Sequence, residues 1–260
     1  MVNNVPAILK RMISASIRAG RSPNAVKLVA VSKFFPVESI NDAIDAGLRD
    51  FGESYVQEAV KKAKAVAEYP TASRVSWHFV GHLQKNKARA AVKVFDLIHS
   101  LDSVELAFEL DKHAGAIGKV QRVLLQVNIS GEWTKSGAGI SDVPEILSAV
   151  RALSWLKLEG FMVIPPYHDD PDRSRPYFRR LRELRDNAIE MGYDTIEALG
   201  ELSMGMSNDF EVAIEEGATI VRIGSAIFGS RQQNFDTEQP GAGEADVSNE
   251  AEIASKAEGV

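Results

Sequence analysis

Eight short apolar runs alternate with helical patterns between residues 27 and 224, and this predicts a single closed (β/α)8 TIM barrel. Strict strand–helix alternation implies a parallel sheet with right-handed connections. Eight units of this size suit a closed barrel better than an open doubly wound sheet. No G-x-G-x-x-G follows the first strand, which weakens the dinucleotide-binding alternative.

Taken in order, Ile8, Leu9, Met12, Ile13 and Ile17 fall at helical spacing, an amphipathic stripe that should pack on the domain and that lacks the continuous apolar core of a signal peptide. The strands are expected at 27–33, 48–53, 76–82, 96–101, 121–129, 157–164, 195–202 and 218–224. Between them, helices are expected at 36–46, where Pro36 marks the start, and at 54–68, 84–94, 103–116, 143–154, 173–191 and 208–216. Gly47, Gly192 and Gly217 sit where three of these helices should stop. The barrel then occupies 1–230, and no second folded domain is left over.

Residues 231–260 hold seven acids against Arg231 and Lys256, so this stretch carries −5 of the net −6 and leaves −1 on residues 1–230. It has almost no large apolar residues and reads as a disordered acidic tail. A nearly neutral body gives no electrostatic case for nucleic acid. The absence of cysteine excludes disulfides, thiolate metal sites and cysteine nucleophiles. No apolar run reaches membrane-spanning length, and a cytoplasmic protein is expected.

In such a barrel function lies at the C-terminal ends of the strands. Polar residues collect there: Lys33, Glu53 with Ser54, His78, His82, Ser100, Asn128, Ser203, Ser207, Arg222 and Ser225. The run Lys27–Lys33 is a buried strand that ends in lysine, where partial loss of hydration favours a neutral, nucleophilic amine of the kind a Schiff base needs. Most strand-end lysines simply meet water. The segments Leu202–Asp209 and Val221–Gly229 place serines and glycines after the last two strands, where barrels often hold phosphate. The same residue types also cap helices.

The motifs Val31-Ser-Lys33, Phe51-Gly-Glu53 with Tyr55-Val-Gln-Glu58, and His78 to Lys87 are distinctive. So are Asn128-Ile-Ser130 with Lys135-Ser-Gly137, Leu202 to Ser207, and Val221 to Ser225. Together they resemble the pyridoxal-phosphate homeostasis protein family, related to the barrel domain of alanine racemase, from about residue 5 to 231. Ser54 stands where the family pattern has asparagine, which leaves an amide-specific contact there in doubt.

The resemblance implies that Lys33 forms the internal aldimine with pyridoxal 5′-phosphate (PLP), and that Ser207, Gly224 and Ser225 hold its phosphate with the backbone of Ser203, Gly205 and Met206. Arg222 would face the pyridine nitrogen, and Asn128, His78 and Met162 would line the ring pocket. An arginine only donates hydrogen bonds, so the ring nitrogen stays unprotonated and the cofactor is a weak electron sink. The reading is therefore a PLP carrier in vitamin B6 homeostasis, without turnover, monomeric, with PLP-dependent apoenzymes as possible recipients. Two alternatives are a monodomain PLP-dependent amino-acid racemase and a barrel that binds sugar phosphates without PLP.

Other features are expected to be structural. His78 and His82 are four apart but lack further ligands for a metal site. The arginines 173, 175, 179, 180, 182 and 185 read as a solvated outer helix, with the acidic tail as a conceivable partner. Tyr55, Tyr167, Trp77, Trp133 and Trp155 are expected to pack in the core or at its rim.

Overall fold

A computed structural model of the chain describes residues 4–71, 75–194 and 198–229; the expected acidic tail and residues 195–197 of the expected seventh strand lie outside them. Eight parallel strands close into a barrel in chain order: β1 (Lys27–Val31), β2 (Asp50–Glu53), β3 (Ser76–Phe79), β4 (Leu97–Leu101), β5 (Gln121–Gln126), β6 (Leu156–Met162), β7 (Glu201–Ser203) and β8 (Ile220–Ile223). Pairing of β1 with β8, Val29 opposite Arg222, completes the ring. The helices are α1 (Val5–Arg18), α2 (Val37–Asp45), α3 (Val56–Ala67), α4 (Ala88–Val94), α5 (Val104–Gly115), α6 (Val143–Arg151), α7 (Arg175–Glu190), α8 (Phe210–Glu215) and a single turn α9 (Ser225–Phe228).

The strands stop earlier than the apolar runs suggest. β1, β3 and β5 end at Val31, Phe79 and Gln126, so Lys33, His82 and Asn128 stand in the loops beyond. Single hydrogen bonds, Ser32 N to Gly52 O (2.9 Å) and Val80 N to Glu53 O (2.9 Å), carry the pairing one residue further before the chain leaves the sheet. β7 is only three residues long. Its Leu202 N–H donates to Thr219 Oγ1 (2.8 Å), and Thr219 in turn donates to the Glu201 carboxylate. At Gly160 (φ 149°) a Cβ would lie 1.9 Å from Glu201 O, so only glycine lets β6 approach β7 this closely.

The main core lies between the barrel and its helices, while Val29, Leu97, Leu124, Met162 and Ile220 form a separate apolar cluster. α1 packs on α8 as its stripe predicts. Val5, Ile8, Met12 and Ala15 are buried, and Arg11 forks onto Glu211 (2.7 and 3.2 Å). The arginines of α7 are more engaged than a solvated face requires. Arg175, Arg179 and Arg182 all approach Glu216 within 3.5 Å, and Arg175 also reaches Glu215. These acids sit at the end of α8, so the cationic stripe ties α7 to its neighbour. Trp77 is buried and packs beside Phe51, but Trp133 is 94 % exposed and Tyr167 74 %, against the expectation of packing. Among the described residues no helix is long and apolar enough to cross a membrane.

Candidate functional site

Lys33 leaves β1 through a strained turn. The next residue, Phe34, is a non-glycine with φ 67°, a conformation that persists only when its surroundings enforce it. Three side chains do so. Glu58 of α3 accepts the Phe34 N–H (2.7 Å), and Glu53 at the end of β2 accepts the Ser32 hydroxyl (2.6 Å). Lys62, one turn along α3 and almost wholly buried, donates to Ser32 O (2.7 Å), Glu53 Oε1 (2.8 Å) and Glu58 Oε1 (2.6 Å). The backbone on both sides of Lys33 is thus clamped by one buried Glu–Lys–Glu triad. Burial raises the Glu53 carboxyl above its usual range, opposed by the adjacent Lys62 ammonium.

A cavity of about 580 Å³ opens beside Lys33, lined among others by Ser54, Val80, His82, Gln126, Lys135 and Ile164. On the neighbouring strand, β8 ends in Gly224, where a Cβ would meet Val31 O at 3.1 Å. The missing side chain lets the chain after β8 approach the β1 backbone closely, two residues before Lys33. Directly beyond Gly224, Ser225 Oγ donates to Ser207 Oγ (3.1 Å), which also accepts from Ala226 N (3.4 Å). Gly205 brings the β7 loop to this point: its φ is 93°, and a Cβ would lie 2.6 Å from that of Ala213. Its carbonyl accepts the Arg222 N–H (3.0 Å), while Met206 N–H donates to Asp209 Oδ1 (2.7 Å). The loops that carry Lys33, the paired serines and Gly224 thus follow three adjacent strands, β1, β7 and β8.

Arg222 projects into the barrel and is 4 % exposed. Its Nη1 donates to Ser203 Oγ (2.6 Å) and its Nη2 to Val163 O (2.9 Å). Burial lowers its pKa to about 10, opposed by Asp209, so the guanidinium stays protonated at neutral pH.

The three residues expected to line the ring pocket each have partners of their own. His78 is fully buried with both ring nitrogens engaged, by Asp50 (3.0 Å) and His99 (2.9 Å), so it belongs to the barrel interior. Asn128 folds its own loop, donating to the carbonyls of Glu132 (2.8 Å) and Lys135 (3.2 Å) and accepting from Ser130 and Gly131. Met162 sits in the interior apolar cluster; Ile164, two residues on, lines the cavity instead. His82 faces Asp102 (3.4 Å), and no group of three metal-ligating side chains occurs among the described residues. Conversely, Lys62, His99 and Asp50 went unremarked in the sequence. Only the Glu58–Lys62 spacing on one helix offered a signal, and it is shared with ordinary surface pairs.

A closed barrel with a lysine after β1 and a serine–glycine cradle after β7 and β8 defines a class. The alanine racemase N-terminal domain family matches residues 15–232. A pyridoxal phosphate homeostasis protein of Aquifex aeolicus is 46 % identical over 225 residues, covering 86 % of this chain and 96 % of the relative. The structure of PipY of Synechococcus elongatus with PLP bound has a TM-score of 0.74 at 38 % identity, covering 85 % of this chain and all of that one. A structure of an unknown protein from Bifidobacterium adolescentis has a TM-score of 0.79 at 37 % identity, covering 87 % and 93 %. The chain belongs to the pyridoxal phosphate homeostasis protein family.

Proposed function

We propose that this chain holds PLP covalently on Lys33 and serves as its carrier in vitamin B6 homeostasis, without catalytic turnover. The observation that carries the reading is the Ser207–Ser225 hydroxyl pair just beyond Gly224, whose backbone abuts Val31, two residues before Lys33. A phosphate needs clustered hydroxyls and room for its oxygens; a covalently held aldehyde needs an amine beside them. The residues present fit the group on both counts. Ser207, Gly224 and Ser225 take the phosphate, with the backbone of Ser203, Gly205 and Met206 shaping the loop.

When bound, the cofactor supplies an electrophilic aldehyde and an electron-withdrawing ring. Arg222 has only donors to offer, so facing the ring nitrogen it would leave that nitrogen unprotonated and limit the ring as an electron sink. Of the tyrosines that follow β2 and β6, Tyr55 lines the Lys33 cavity at 51 % exposure, and Tyr167 is 74 % exposed. The recipients in this reading are PLP-dependent apoenzymes. Borohydride reduction of the PLP-loaded full chain, followed by peptide mass spectrometry, should find a pyridoxyl group on Lys33. An unmodified Lys33 would overturn the assignment, and useful amino-acid Cα deuterium exchange would replace carrier by racemase.

A further inference from the structure

Behind Arg222 an unbroken hydrogen-bonded chain crosses the barrel interior to the opposite end of β2. Arg222 Nη1 meets Ser203 Oγ at 2.6 Å, Ser203 Oγ meets His99 Nδ1 at 2.8 Å, His99 Nε2 meets His78 Nδ1 at 2.9 Å, and His78 Nε2 meets Asp50 Oδ1 at 3.0 Å. Ser203, His99 and His78 are at most 1 % exposed, so no water is at hand to repair a broken link.

With both imidazoles neutral, the chemistry at the two ends fixes every proton between them. A guanidinium only donates and a carboxylate only accepts. With Asp50 ionised, His78 must carry its proton on Nε2, so its Nδ1 accepts. His99 then carries its proton on Nε2 as well, and its Nδ1 accepts from the Ser203 hydroxyl. Ser203 is left with its lone pairs toward Arg222. Reversing any one link would set two donors or two acceptors face to face. Burial raises the Asp50 carboxyl, but the hydrogen bond from His78 first, and then nearby positive charge with Lys27 at 3.8 Å, hold its pKa below the usual range. Burial first, and then nearby guanidinium and ammonium charge from Arg222, Lys27 and Arg122, lowers the His99 pKa well below its usual value.

We infer that Asp50 is a remote positioning residue for the cofactor site: through the fixed tautomers of His78 and His99 it orients Ser203 and so holds Arg222 in place. This rests on the reading that Arg222 faces the cofactor, and part of its test is independent of that reading.

In the unliganded full-length protein, ¹⁵N NMR of the imidazoles should show His78 and His99 both neutral and both protonated on Nε2 at neutral pH. A charged ring or an Nδ1–H tautomer in either histidine would overturn the inference whatever the protein binds. In Asp50→Asn the amide can donate or accept, so the single tautomer should be lost. PLP affinity should fall about fivefold in Asp50→Asn and about tenfold in Ser203→Ala, the scale of one to two hydrogen bonds. The double variant should bind no more weakly than Ser203→Ala, because once the chain is cut at Ser203 the state of Asp50 no longer reaches Arg222. Additive losses, or an unchanged tautomer and affinity in Asp50→Asn, would overturn it.

Discussion

Replacing Lys62 by methionine keeps most of the buried stem and removes the ammonium that joins Glu53, Glu58 and Ser32 O at 2.8, 2.6 and 2.7 Å. The Lys62 side chain is 7 % exposed and that of Glu53 is 0 %, so this is a buried pair, for which removing one partner costs about 3–5 kcal/mol. Glu53 can escape by taking up a proton. From an ordinary carboxyl pKa that costs about 3.7 kcal/mol at pH 7, at about 1.36 kcal/mol per unit. Burial already raises Glu53 against the pull of Lys62, so a loss of about 3 kcal/mol is the working figure. The sign of the pH dependence follows. A carboxyl whose folded pKa lies above its unfolded one stabilises the fold at low pH and loses that contribution as pH rises through the folded value. The Lys62→Met deficit should therefore shrink as pH falls from 7 toward 5. Urea unfolding of the full chain at both pH values measures it. A loss below about 1 kcal/mol at pH 7, or a deficit that ignores pH, would refute the clamp. Glu53→Gln with Lys62→Met should recover more than half of the loss, since a neutral pair leaves no buried charge.

Two further outcomes are expected. Ser207→Ala combined with Ser225→Ala should weaken PLP at least tenfold by equilibrium titration while leaving the binding of dephosphorylated pyridoxal nearly unchanged, because only the phosphate meets the serine pair. Glu216→Gln should cost about 1 kcal/mol at pH 7, a figure reduced for the exposure of its arginine partners. Burial raises the Glu216 pKa, but hydrogen bonds from Arg179 and Arg175 outweigh it and hold the carboxyl below its usual range. That stability is present above the unfolded carboxyl value and lost as pH falls through the folded one, so thermal melts of variant and parent should converge in acid.

The barrel was legible because eight apolar runs with helical spacers leave few other topologies. Strand ends were not, because Val80, Val127 and Ile164 prolong the apolar runs past the last paired residue. Lys33 and the serine–glycine loops stood out as polar groups closing buried strands. The orientation of His78 and Asn128 did not. A parallel barrel buries both faces of each strand, so hydropathy shows no alternation to say which side chains point inward. His99 is hidden for the same reason: within Leu97–Leu101 it is one of two polar residues, with Ser100, in a fully buried strand. Its role depends on Ser203, 104 residues away, and no local pattern carries that distance.

The two ends of the proposed ligand are held by different physics, and the difference bears on what the site can do. At Lys33 the constraint is on the backbone. A left-handed Phe34 is unfavourable by about 1–3 kcal/mol on its own, and the Glu58 acceptor supported by Lys62 offsets it. At Arg222 the constraint is on the charge. A cation 4 % exposed must find acceptors inside the barrel, and it finds one carbonyl and one hydroxyl whose proton is already committed to His99. Forming the covalent link requires a deprotonated amine at Lys33 itself, whereas Phe34 and Arg222 are held by hydrogen bonds alone. A catalyst of proton transfer needs groups poised to gain and lose protons near neutral pH. Lys62 is bound to two carboxylates, burial lowers the His99 pKa, and Arg222 stays charged, a set of fixed groups that supports the proposed carrier reading.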